Sequence, residues 1–268
     1  MLRSRSHRRR GVAAVALLTF GAMVGVAAPV GANTAARRAT MAKPTGSITV
    51  FAASSLTEAF TQIGKDFQKK YKGTTVTFSF GSSATLETQL EQSAPGDVFA
   101  SADTANADKL KVAGDVSGTP VVFARNRLEI AVEPNNPKKI KTLADTVKSG
   151  VLLTLCAPEV PCGKYALQAY QEAGVTVPQV PTGLTAKDTL SKVALGEADA
   201  AVVYVTDVKA AAGDVTGVKI PKKDNVLAAY PIAVVKATQH AATAKAFVKY
   251  VRSKAGLVTL EKFGFLSP

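Results

Sequence analysis

The sequence predicts an α/β protein of mostly parallel strands, arranged as two lobes with a cleft between them. Three observations point there. Short apolar runs alternate with amphipathic stretches, the pattern of strands connected by helices. The chain leaves a first half near Ala124 and re-enters it near Ala228, so two crossovers would form a hinge. Several strand-like runs also end in small and hydroxyl residues that open a helix, and ligand sites in open α/β sheets lie beyond the carboxyl ends of strands.

Ser47–Ala52 reads as the first strand, and Leu56, Ala59, Phe60, Ile63 and Phe67 then recur at helical spacing. Lys72-Gly73 closes that helix, because glycine tolerates the left-handed cap. Thr75–Phe80 is a strand and Ala84–Gln92 a helix stopped before Pro95-Gly96. Asp97–Ser101 is a buried strand and Thr104–Val112 a helix. Leu128–Val132 opens the second lobe, and Pro134-Asn135-Asn136-Pro137 is a turn. Val151–Leu155 is a strand, Lys164–Gln171 a helix ending near Gly174, Thr189–Leu195 a helix closed by Gly196, and Ala200–Val205 a strand. Ala229–Val235 returns as a strand, and helices Ala241–Ser253 and Ala255–Phe263 finish the chain. The division expected is residues 46–124 plus 228–268 for lobe 1 and 125–227 for lobe 2.

The first 32 residues carry five arginines, an apolar run from Gly11 to Pro29 and the small-residue ending Val30-Gly31-Ala32. That order reads as a secretory signal peptide cleaved after Ala32, by the general or the twin-arginine route. No cysteine stands near the cleavage point to take a lipid anchor. Residues 33–45 read as a flexible linker. The expected location is the periplasm, or the cell envelope outside the cytoplasmic membrane.

The formal charge is +13, of which +8 belongs to residues 33–268. The lysines are scattered along amphipathic segments, and there is no tryptophan and no basic stripe with interleaved aromatics, so nucleic acid is not an expected partner. The residual charge would steer an anion at long range. Cys156 and Cys162 flank a stiff Ala157-Pro158-Glu159-Val160-Pro161 segment. In an exported protein that reads as a local disulfide, with two free thiols as the alternative. Past the signal segment His240 is the only histidine, too little for a cation site.

Four segments carry the functional reading: Val50–Thr57, Phe80–Leu86, Pro161-Cys162-Gly163 and Gly183-Leu184-Thr185-Ala186. None holds an arginine, lysine or histidine before its helix begins. Ser55-Leu56-Thr57-Glu58 and Thr185-Ala186-Lys187-Asp188 fit the capping box. Alone, each is an ordinary helix start. A helix start exposes unpaired N–H groups and a partial positive charge, and so favours anions. Several converging on a cleft, with Tyr204 at the end of its strand, would make a neutral cage of donors. Such a cage suits an oxyanion that has no proton to give.

In order along the chain, Val50-Phe51-Ala52-Ala53-Ser54-Ser55-Leu56-Thr57, Phe80-Gly81-Ser82-Ser83-Ala84-Thr85-Leu86, Ala94–Asp103, Gly196–Tyr204 and Tyr230–Val235 resemble the molybdate-binding proteins of ABC uptake transporters. The resemblance implies a type II periplasmic-binding-protein fold. It also implies capture of molybdate and tungstate, with no cofactor beyond the bound anion. Delivery would be to an ABC permease and its ATPase, by a monomer. Carried over by position, it implies that Ser55 and Ser83 donate through hydroxyl and backbone, Cys162 and Ala186 through backbone N–H, and Tyr204 through its hydroxyl. Cys162 replaces the family's usual small residue, and the family's valine is missing around Ala186. The competing readings are a binder of another oxyanion such as sulfate, a sensing or adhesive module of the same fold, and a secreted serine hydrolase. The hydrolase would need a base beside Ser55 or Ser83; His240 is distant in sequence and neither serine lies in a Gly-x-Ser-x-Gly elbow.

Overall fold

A computed structural model describes residues 43–268; the signal segment and most of the expected linker lie outside the described residues. The first half opens with β1 (Gly46–Ala53), a 3-10 turn at Ser54–Leu56 and α1 (Thr57–Lys70). Then come β2 (Thr74–Gly81), α2 (Ser83–Glu91), β3 (Val98–Ala100) and α3 (Thr104–Ala113). The long β4 (Val116–Val132) leads to α4 (Leu143–Thr146), β5 (Leu153–Cys156), α5 (Pro161–Glu172), β6 (Thr182–Gly183) and α6 (Ala186–Ala194). The chain continues through β7 (Ala200–Tyr204), α7 (Val205–Ala210), β8 (Thr216–Lys219) and β9 (Leu227–Val235), and ends with α8 (Ala241–Val251) and α9 (Lys254–Lys262).

The strand order is β2-β1-β3-β9-β4-β7-β5-β6, with β8 also paired to β4. Four pairings are parallel, and they belong to the strand–helix alternation: β1 with β2 and β3, and β5 with β6 and β7. The antiparallel pairings all involve β4 or β9. β4 is the feature the sequence pattern hides. Residues Val116–Arg127 pair with β9, and from Leu128 the strand pairs with β7 and β8. The two crossings between lobes therefore run side by side as one antiparallel ribbon, with Asn126 opposite Ala228. Gly118 and Pro120 break the strand signal, and the ladder itself shifts register between Ser117 and Val121.

α1 buries Ala59, Phe60, Ile63 and Phe67, the stripe its spacing predicts. Phe60 and Phe67 meet Phe247 of α8 edge-on at 6.1 and 5.4 Å between ring centroids. Each fully buried ring or large aliphatic side chain contributes roughly 1.5–3 kcal/mol of transfer free energy. This cluster fixes α1 and α8 on one face of β1 and so holds the loop at Ser54–Leu56. In the second half Tyr170 of α5 is buried, with its hydroxyl 2.6 Å from that of Thr146.

Candidate functional site

The site forms where strands end. Ala53 and Gly81 are register partners in adjacent parallel strands, so Ser55 and Ser83 emerge side by side. From the other half, β5 delivers the start of α5, β6 the start of α6, and β7 ends on Tyr204. Ser55, Ser83, Cys162, Ala186 and Tyr204 are all buried and all line one cavity, together with Ser54, Ser82, Ala102 and Thr185. Its central free volume is about 10 Å³, the scale of one small occupant. Its lining among the described residues carries no charged side chain.

The local hydrogen bonds leave donors for the cavity. At α2, Ser82 is the N-cap and accepts from Thr85 N–H at 3.1 Å. The N–H groups of Ser83 and Ala84, one turn too early for intrahelical partners, stay open. At α6, Thr185 accepts from Asp188 N–H at 3.0 Å, which leaves Ala186 and Lys187 in the same position. At α5, Pro161 takes the first helical position, where its missing N–H costs nothing, and Cys162 follows. Gly163 is required there, since a Cβ would sit 2.0 Å from the carbonyl oxygen of Ala157. Ser83 Oγ accepts from Ala102 N–H at 2.9 Å. Ser55 Oγ lies 2.9 Å from the Tyr230 hydroxyl. The Tyr204 hydroxyl is fully buried without a protein partner, and burial pushes its phenol pKa well above the ordinary value, so it keeps its proton.

The capping boxes read from sequence form differently. Ser55 does not cap α1: that helix starts at Thr57 after a 3-10 turn and has no side-chain cap. The 3-10 turn puts the N-cap at Leu56, so Ser55 stands one residue before it and its hydroxyl meets Tyr230 instead of a helix N–H. Glu58 instead pairs with Lys187 of α6 at 2.5 Å. Thr185 does cap α6, but Asp188 accepts from Leu184 N–H rather than from its own N-cap residue. A second ion pair, Lys164 with Asp103 at 3.8 Å, also joins the two halves.

Two carboxylates near the site escape a sequence reading. Asp103 caps α3 through Oδ1, while its buried Oδ2 has no hydrogen bond. Asp207 is buried just after Tyr204, and its Oδ2 accepts from Tyr204 N–H at 3.2 Å. Burial pushes the Asp207 carboxyl up to about 7, against a smaller opposing pull from Lys187. In the unfolded chain this acid ionises near its ordinary value of about 3.9. Its folded pKa is raised, so its contribution to stability is complete below about pH 4 and is lost as pH rises through about 7. Asp207→Asn should therefore match the parent's stability near pH 4 and exceed it by about 2–4 kcal/mol near pH 8. Denaturant unfolding at the two pH values measures this; no gain near pH 8 refutes it.

Cys156 and Cys162 form a disulfide across the β5–α5 loop, resolving the choice between bridge and free thiols. Closing so short a loop should stabilise by about 2 kcal/mol through the unfolded chain. The Cys156→Ser, Cys162→Ser double variant is expected to lose about that much in denaturant unfolding. A loss within error of zero would show that the bridge only decorates a loop already fixed by Gly163.

Residues 48–266 match the family described as bacterial extracellular solute-binding protein. The chain is 43% identical over 222 residues to the molybdate-binding protein ModA of Mycobacterium bovis, covering 83% of this chain and 85% of that one. The periplasmic molybdate-binding protein of Azotobacter vinelandii has a similar structure, with a TM-score of 0.75 at 20% identity over 82% of this chain and 99% of that chain. So does the sulfate-binding protein SubI of Mycobacterium tuberculosis, with 0.72 at 18% over 82% and 86%. At those identities the two structures speak to the fold alone, a two-lobed type II periplasmic-binding-protein fold. The family match spans both lobes and every strand end that lines the cavity, so the chain belongs to the bacterial extracellular solute-binding proteins.

Proposed function

We propose that the chain captures molybdate, and tungstate with it, in this cavity. Ser55 and Ser83 donate through hydroxyl and backbone, Cys162 and Ala186 through backbone N–H, and Tyr204 through its hydroxyl. The observation that carries the reading is an uncharged, buried cavity whose polar lining offers donors from both halves of the chain. The 43% identical molybdate-binding relative supports the choice of anion. Rigid backbone donors would separate molybdate from the smaller sulfate by the positions of the oxygens.

Lobes 46–124 plus 228–268 and 125–227 would close on the anion about the β4–β9 ribbon. The Glu58–Lys187 and Asp103–Lys164 pairs would bridge the closed cleft; the partly exposed Glu58–Lys187 pair contributes up to about 1 kcal/mol. After export and removal of residues 1–32, the monomer would hand the anion to an ABC permease and its ATPase outside the cytoplasmic membrane. No helix among the described residues is long and apolar enough to cross a membrane. A binding role rather than an enzymatic one is supported by His240, which lines a separate groove beside Asp97, away from both serines.

Calorimetric titration of ligand-free protein with molybdate, tungstate, sulfate and phosphate tests the reading. Tight binding of the first two and none of the last two is expected. No heat from molybdate in a folded sample would refute it.

A further inference from the structure

We propose that Asn126 and Tyr230, neither of which lines the cavity, fix the direction in which Ser55 donates and so bar anions that carry a proton. This rests on the oxyanion reading of the cavity and names residues that would set its selectivity.

The argument follows hydrogens from one side chain to the next. Asn126 is fully buried on β4, in the ribbon between the lobes. Its Oδ1 accepts from Arg127 N–H at 2.9 Å. That contact orients the amide, because a backbone N–H can only meet the oxygen. Nδ2 therefore faces the Thr206 hydroxyl at 2.9 Å and the Tyr230 hydroxyl at 3.4 Å. An amide nitrogen donates and does not accept. The Tyr230 oxygen thus receives a hydrogen from Asn126, and its own hydrogen has Ser55 Oγ, 2.9 Å away, to go to. Tyr230 is held by edge-on contacts with Tyr204 and Phe265, at 5.9 and 5.2 Å between centroids. Burial raises its phenol pKa, so the hydrogen stays on it. Ser55 Oγ, already accepting from Tyr230, turns its hydrogen to the cavity.

Two further hydroxyls of the lining point the same way by independent means. Ser83 Oγ accepts from an obligate donor, Ala102 N–H, so its hydrogen is free for the cavity. Tyr204 has a proton and no protein acceptor. An anion that only accepts is matched at these three hydroxyls. Hydrogen phosphate must donate its P–OH and would set a buried donor against donors, an unpaired arrangement that is costly in a dry site.

Asn126→Asp should reverse the relay. Burial will raise the pKa of a carboxyl there, as it does for Asp207; once ionised, at about pH 9, it only accepts, so it would draw the Tyr230 hydrogen, Tyr230 would accept from Ser55, and Ser55 would show lone pairs to the cavity. The experiment is calorimetry with molybdate and with inorganic phosphate at about pH 9, where a buried carboxyl ionises and phosphate still carries a proton, on the parent, N126D, Tyr230→Phe and N126D/Y230F, each checked for its melting transition. Molybdate affinity of N126D is expected to fall by roughly tenfold or more, one hydrogen bond's worth, while phosphate binding appears. The double variant keeps the charge but not the relay and should behave as Y230F does, not as N126D does. Y230F, which leaves Ser55 free to turn, should narrow the molybdate-to-phosphate ratio by roughly tenfold even if N126D fails to fold. Equal behaviour of N126D and N126D/Y230F, or an unchanged ratio in Y230F, overturns the proposal while leaving molybdate binding intact. A folded parent that binds no molybdate overturns the functional reading, and the relay with it.

Discussion

The Ser55→Ala, Ser83→Ala double variant should bind molybdate roughly 10²–10⁴ times more weakly than the parent. A hydrogen bond to a charged group contributes about 1.5–3 kcal/mol, and two are removed. The low end applies if the anion shifts toward the backbone donors that remain, since groups around one ligand are not additive. Each serine leaves a buried donor behind. Ser83 Oγ also accepts from the buried Ala102 N–H, so Ser83→Ala orphans a donor and should cost stability, about 1–3 kcal/mol. Ser55 takes the hydrogen of the buried Tyr230 hydroxyl, which Asn126, itself a donor to that oxygen, cannot accept, so Ser55→Ala orphans a donor as well and should cost a comparable amount. Calorimetry with a melting control separates the two effects. Unchanged affinity in the folded double variant would remove both serines from the site.

What the sequence shows of this site, and what it hides, follows from the range of each interaction. Strand ends, the starts of α2, α5 and α6, and the cysteine pair are local, set by turn residues and short spacings. Ser83, Cys162 and Ala186 were therefore legible as helix starts. Ser55 was legible as a candidate donor, but its local geometry was not. The capping-box pattern at Ser55–Glu58 predicts a cap, whereas tertiary partners compete: Glu58 is drawn to Lys187, 129 positions away, and Ser55 to Tyr230, 175 away. The same distance hid Asn126. Nothing around it marks a site, and its role exists only because β4 and β9 run antiparallel through the ribbon. β4 itself was half seen, because Gly118 and Pro120 read as breakers while its pairing to β9 is long-range. The buried Asp207 follows Tyr204 by three residues and would pass for a surface acid opening a short helix.

Ala186→Pro should abolish tight molybdate binding while leaving the fold in place. Ala186 is the first residue of α6, where proline is favoured because no intrahelical acceptor awaits its N–H. The residue before a proline must be extended, and Thr185 already has φ −138° and ψ 165°. The Thr185 cap on Asp188 N–H involves neither the Ala186 nitrogen nor its side chain and should persist. The substitution therefore deletes one backbone donor without breaking the helix. The lost charge-assisted bond is worth about 1.5–3 kcal/mol, roughly a 10- to 150-fold loss. The ring then adds to it, because its Cδ occupies the space the hydrogen pointed into, and the cavity has only about 10 Å³ free. A melting transition within a few degrees of the parent, together with molybdate binding weakened by roughly 10²-fold or more, is the expected pair of results. Retained affinity in the folded variant would move the contact to Lys187 N–H, the next open donor of the same turn, and would show that the cage is built one residue later than the pattern around Ala186 implies.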